Sequence, residues 1–179
     1  MNTSTSINRK LGGFALLMLV LWAPAVQAQV KVGDPVPEYI GSRNGKALAA
    51  SDFLGKVLVI SFWASWCGPC QKEIPVLETV QKTAGKEQLQ VVGINIQSSP
   101  EFGALMRGLP PMEMMFTRDI DDRGSKLFGR KGVPHMVVVG RDGRIRTINV
   151  GYGEDSIDEI VGTVNAALAE KPVKVPAAS

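Results

Sequence analysis

Histidine occurs once in this 179-residue chain, cysteine twice, and no apolar run reaches the roughly 20 residues that a membrane-spanning helix needs. Each shortage excludes something. Zinc held by the cysteine pair would need two further ligands, and the chain offers no third cysteine and only His135. Charge of one sign is scarce too: 20 Lys and Arg against 17 Asp and Glu leave a formal +3, a balance that gives no sign of nucleic-acid binding. Internal repeats and low-complexity segments are absent.

What is present begins with Arg9 and Lys10, followed by LGGFALLMLVLWAPAV, an apolar stretch that Pro24 ends. AVQA-QV comes next, with Val26 and Ala28 at the positions where a signal peptidase requires small side chains. The pattern predicts a secretory signal peptide over residues 1–28, cleaved after Ala28. The alternative is an uncleaved membrane anchor; no cysteine stands near the site to carry a lipid. Cleavage leaves residues 29–179, enough for one domain, with a net charge of +1. The closing KPVKVPAAS, residues 171–179, reads as a disordered tail.

Between these ends, Val30 to Ala50 is rich in Gly and Pro, and Asn44-Gly45 is a strong turn signal, so the domain opens with a β-hairpin. VLVISFW has no polar alternation, as expected of a central strand buried on both faces. CGPCQKEIPVLETVQKTAG reads as a helix that begins at the cysteines and stops at Gly85, with a kink expected at Pro75. LQVVGINI is a second buried strand, PEFGALMRGL a short helix, MEMMFTRD an edge-like strand and DDRGSKLFGR another short helix. VPHMVVVG and RIRTINVGY, joined by Arg141-Asp142-Gly143, make a closing hairpin. EDSIDEIVGTVNAALAEK is an amphipathic helix with Ile157, Ile160, Val161, Val164 and Leu168 expected on one face. The order β, β, β-α-β, α, β, α, β-β, α predicts an α/β domain with a mixed central sheet and helices on both faces.

Both cysteines fall in SFWASWCGPCQKEIP, at the strand-to-helix junction. Export would put them in an oxidising compartment, yet a bridge closing so small a loop constrains the unfolded chain little, so a structural staple is a weak reading. A redox pair is the stronger one. Unpaired N–H groups and the helix dipole would stabilise a thiolate on Cys67, lowering its pKa and making it the attacking nucleophile. Cys70, one turn inside, could then displace a mixed disulfide and close the intramolecular bridge. Gly68-Pro69 supplies the turn, and a proline there sacrifices no helical hydrogen bond. Of the flanking tryptophans, Trp63 is expected in the core and Trp66 half exposed against substrate.

FWASWCGPCQKEIPVLE resembles the thioredoxin superfamily, and within it the exported TlpA/ResA-like thiol:disulfide oxidoreductases. GDPVPEY, DFLGKVLVISFWASWC, VVGINI and GVPHMVVVGRDGRI extend the resemblance over nearly all of residues 31–170. It implies a thioredoxin-like fold with an N-terminal hairpin extension over 29–170, and no bound cofactor beyond the Cys67-Cys70 disulfide. It also implies that Cys67 is the nucleophile, Cys70 the resolving thiol, and Pro134 a cis-proline facing the active site. Val133, just before it, would offer its backbone to an extended substrate segment; a plain trans proline opening a strand is the alternative. Thioredoxins proper carry a buried acid where this chain has Ser61, whereas Glu73 stands three residues after Cys70. In the resembling branch a glutamate there lies beneath the pair and could take the Cys70 proton. The alternative is an exposed glutamate paired with a lysine.

His135 departs from the family pattern, which usually has threonine after this proline, and is expected near the active-site rim, more as a bystander than a participant. Met106, Met112, Met114 and Met115 cluster around Pro110-Pro111. Thioethers suit Cu(I), so a periplasmic copper-binding chaperone using the CxxC with these Met and His residues is the rival reading; methionine as core filler is the plainer one. VGDPVPEY also resembles a peroxiredoxin opening, but that family's proline and hydroxyl residue, seven and three positions before the nucleophile, are here Ile60 and Ala64. The expected function is therefore exchange of disulfides with exported proteins. The resemblance further suggests reduction rather than oxidation, a membrane-embedded dithiol donor as partner, and a role in cytochrome c maturation.

Overall fold

The computed structural model describes Met1, residues 29–153 and residues 155–171. Apart from Met1 and Lys171, the expected signal peptide and tail lie outside the described residues. Strands β1 (Tyr39–Arg43) and β2 (Lys46–Ala49) form the expected antiparallel hairpin. Asn44 and Gly45 between them both have positive φ, 51° and 77°, the backbone that a type I′ turn demands. After a 3-10 turn at Ala50–Phe53 come β3 (Val57–Trp63), α1 (Gly68–Ala84) and β4 (Leu89–Asn95). Every residue of β3 and β4 is buried, and the two pair in parallel, as largely apolar runs joined by a crossover helix should. α2 (Ser99–Gly108), β5 (Met115–Arg118), α3 (Arg123–Phe128), β6 (His135–Val139), β7 (Ile145–Val150) and α4 (Ser156–Ala169) complete the chain. The sheet runs β2-β1-β5-β4-β3-β6-β7.

Side chains alternate across this sheet and define two cores. On one face Val57, Val59, Val91, Met136 and Val138 pack with Leu77 of α1 and Ile160 and Val164 of α4, and both cysteines belong to this cluster. On the other face Leu58, Ile60, Phe62, Val92 and Val137 pack with Phe53 and with Phe128 of α3. The helices therefore lie on both faces, as predicted.

Two expectations need correction. β5 is not an edge strand: β4 pairs with it in parallel on one side, and β1 folds back antiparallel on the other, with Ser42 opposite Arg118. Thr117 is fully buried and its hydroxyl donates to the Ile40 carbonyl at 3.0 Å. That closeness constrains Gly41, where φ is +93° and an added Cβ would collide with Thr117 Oγ1. Gly41→Ala is expected to cost about 2 kcal/mol, from backbone strain alone roughly 1–3 kcal/mol, read as a lower urea midpoint at unchanged m; an unchanged midpoint would mean that the β1–β5 seam is looser than described.

α4 is the second correction. Ile160, Val164 and Ala167 are buried, but Ile157 is 48% and Val161 40% exposed, so the expected five-residue stripe is wider than the face that meets the sheet. The apolar side toward α1 is left as a groove lined by Val80, Ala84, Val161 and Leu168. α1 itself runs on through Pro75, the site of the expected kink, as one continuous helix. Glu78, on that helix, anchors the segment ahead of β5 by accepting from the amides of Glu113 at 2.9 Å and Met114 at 3.0 Å.

Candidate active site

β3 ends at Trp63, the chain turns over Ala64 to Trp66, and Cys67 caps α1. The cap is literal: Cys67 Sγ accepts from the Cys70 amide at 3.2 Å, one of the donors that a helix N-terminus leaves unpaired. Cys67 and Cys70 are joined as a disulfide with Cα atoms 5.2 Å apart. Cys67 is 5% exposed and Cys70 fully buried, so an incoming thiol or disulfide meets Cys67 first. Gly68 and Pro69 are exposed in the first turn. Trp66 is 67% exposed, more than the half expected, while Trp63 is buried with its ring 5.3 Å from that of Phe116.

Polar residues that the sequence did not single out brace this junction. The Ser65 amide donates to Gln97 Oε1 at 2.7 Å, and Gln71 Nε2 donates to the Ser65 carbonyl at 2.6 Å. Gln97 in turn donates its amide to Asn95 Oδ1 at 2.9 Å. No sequence signal marks these residues, because their partners are 6 and 32 positions away and meet only once β3 and β4 are paired.

The Val133–Pro134 peptide bond is cis. Pairing of Phe62 with His135 puts this bond at the same sheet end as the β3–α1 junction, and Val133 packs against the cluster that contains both sulfurs. Pro134 accepts from the Gly151 amide at 2.8 Å, whereas Val133 makes no backbone–backbone hydrogen bond among the described residues. Its peptide groups are thus available to an added strand.

Glu73 lies on the buried side of α1, 2% exposed, and accepts from Ser61 Oγ at 2.6 Å. Burial pushes its carboxyl up to about 7, against the opposing pull of the Ser61 hydrogen bond. The exposed, lysine-paired alternative is thereby removed. The residue pair is complementary: Ser61, where thioredoxins proper have the acid, donates to the acid that arrives instead from the helix.

His135 does not reach the rim. Met136 points to the α1 face, so its neighbour along β6 must point to the opposite one. His135 is 1% exposed, edge-on to Phe62 at 5.9 Å, and burial together with the Arg130 charge lowers its pKa. Alternation also divides the methionines: Met114 packs on the α1 face and Met115 on the other. Met106, Met112 and Met114 line a surface groove with Phe102 and Phe116, apart from His135 on the far face. The structure does not gather the ligand set that a copper chaperone would use.

Residues 31–168 match the redoxin family. The chain belongs to that family. Among its relatives, the thiol:disulfide interchange protein HelX of Rhodobacter capsulatus is 32% identical over 120 residues, 65% of each chain. The thiol-disulfide oxidoreductase ResA of Bacillus anthracis is 22% identical over 142 residues, 77% of this chain and 79% of that one. A solved structure from Chlorobium tepidum, assigned as a thiol:disulfide interchange protein DsbE, superposes with a TM-score of 0.72 at 26% identity, covering 79% of this chain and all of that one. This redoxin is accordingly a TlpA/ResA-like member of the thioredoxin superfamily and a thiol:disulfide oxidoreductase. Among its described residues no helix is long and apolar enough to cross a membrane.

Proposed function

We propose that this redoxin works as a reductant of protein disulfides outside the cytoplasm. Cys67 attacks, Cys70 resolves and Glu73 accepts the Cys70 proton, while Trp66, Gly68, Pro69, Val133 and Pro134 form the surface that holds an extended substrate segment. The observation that carries the reading is Cys67 at the α1 N-cap with Cys70 buried one turn behind and Glu73 buried one turn further along the helix.

The surroundings of Cys67 support the reducing direction of electron flow. A strong oxidant owes its potential to a stabilised reduced form. Here the Cys67 sulfur receives one amide at 3.2 Å, the chain's histidine is on the far face, and Glu73 adds negative charge nearby whenever it ionises. Resemblance to the exported branch, together with the signal-like residues 1–28, supports the periplasm as the working compartment and a soluble domain over 29–170. The same resemblance supports a membrane-embedded dithiol donor and apocytochrome c thiols among the substrates.

Equilibration of the Cys67-Cys70 pair against dithiothreitol at pH 7 is expected to give a potential near thioredoxin's roughly -270 mV. A value towards roughly -120 mV would make the protein a disulfide donor and end the reductant proposal.

A further inference from the structure

Glu73 also lines a cavity of about 160 Å³ between the β6–β7 end of the sheet and α4. Met136, Asn149, Ser156, Glu159 and Ile160 share its wall. Exposed Gly151, Gly153 and Glu159 mark its mouth, and Tyr152 and Gly153 also border the groove beside Gly68 and Pro69. At roughly 30 Å³ per water the space suits several. Its polar lining is unusual in one respect: Asn149 Oδ1 is sealed from bulk solvent and has no hydrogen-bond partner among the described residues. A buried amide oxygen left unpaired costs about 1–3 kcal/mol, so a water bound there is the physical expectation.

Strand register makes the arrangement more than a coincidence of lining. Ser61 pairs with Met136, and Met136 with Asn149, so these three side chains form one row on the α1–α4 face. The row begins at the donor to Glu73 and ends at the unpartnered oxygen, two strand spacings or roughly 10 Å away. Two or three waters span such a gap.

We infer that Glu73 exchanges its proton with solvent through this cavity, by waters that Asn149 orients. The inference rests on the proposed role of Glu73 as proton acceptor. In the resolving step the Cys70 S–H proton passes to the Glu73 carboxylate and the Cys70 sulfur attacks Cys67. The Cys67–Cys70 bond forms, the Cys67–substrate bond breaks, and the substrate leaves as a thiolate carrying the electron pair. Glu73 must then lose its proton before it can accept another from Cys70. With Cys70 fully buried and Ser61 1% exposed, neither of these neighbours gives Glu73 an outlet. The cavity does, and Asn149 acts as a positioning residue because its oxygen accepts from water without itself ionising. Of the residues lining the cavity, Glu73, Tyr152 and Glu159 are the ionisable ones.

The test uses the reduced full chain and 5,5'-dithiobis(2-nitrobenzoate), whose two thiolate releases report Cys67 attack and then Cys70 resolution. Asn149→Leu is expected to slow the second release relative to the first by roughly tenfold or more, with small buffers such as imidazole restoring it. Ile160→Phe, which plugs the cavity from α4, is expected to do the same. Glu73→Gln should slow the second release roughly 100-fold without rescue. If Glu73→Gln is slow while both folded cavity variants resolve at the wild-type rate, the route is overturned and the role of Glu73 stands. If Glu73→Gln is also fast, both fall. A high-resolution crystal structure of the wild type supplies a check that no variant's folding can confound: waters linking Glu73 to Asn149 are expected, and a dry cavity overturns the route.

Discussion

Cys67→Ser reduces no insulin, and Cys70→Ser reduces none catalytically but accumulates a mixed disulfide with it: this is the expected result with the largest effect. The asymmetry follows from burial. Cys67 caps the helix and is the sulfur a macromolecular disulfide can touch, while Cys70 has no exposed surface and can act only on a bond already made at Cys67. A serine hydroxyl at 67 has no thiolate to offer at neutral pH, so the first exchange never begins. In the Cys70 variant the first exchange proceeds, and the adduct persists because the resolving sulfur is gone. Insulin turbidity and mass spectrometry of the trapped species measure the two cases. Wild-type reduction by Cys67→Ser would overturn the mechanism, and trapping through Cys70 in that variant would reverse the two roles.

Glu73→Gln should make the oxidised protein more stable at pH 8, by up to about 3 kcal/mol, with the gain vanishing by about pH 4. The sign comes from linkage. Burial raises the folded carboxyl from its ordinary 4.5 to about 7, so between those values the native state holds a proton that the unfolded chain has released. Wild-type stability contributed by this group is therefore fully present below about pH 4.5, falls as pH rises through the window, and levels off above pH 7. The span of the shift, at 1.36 kcal/mol per pH unit, sets the size at about 3 kcal/mol. Glutamine cannot ionise, and its Oε1 can still accept from Ser61. Urea unfolding with the disulfide intact, at pH 4, 6 and 8, measures the difference. Parallel stability curves for the two proteins would show that Glu73 titrates normally. Together with the slowed Cys70 resolution, the result would identify Glu73 as a group that weakens the fold at working pH while serving the chemistry.

Local patterns made much of the fold legible. A seven-residue run with Ser61 as its single polar member and no polar alternation pointed to a strand covered on both faces, and Asn44-Gly45 pointed to a tight turn, so β3 and the first hairpin were readable without partners. Where a reading missed, a partner distant in sequence was the reason. β5 looked like an edge because nothing in MEMMFTRD reveals that β1 will fold back onto it. The α4 stripe was drawn too wide because periodicity records which residues are apolar and not how much of the helix the sheet will cover.

The sequence by itself pointed to the chemistry: two cysteines, two residues apart at the start of a helix, suit exchange of disulfides, with zinc excluded by ligand count and copper left as the rival. The tertiary structure alone decided the electrostatics around that pair. Strand pairing turned His135 away from it, the Val133–Pro134 bond took the cis form, and the approach of α1 to β3 buried Glu73 against Ser61. The physical reason is that covalent reactivity belongs to atoms one residue carries, whereas desolvation and alternation across a sheet belong to neighbours that folding brings together.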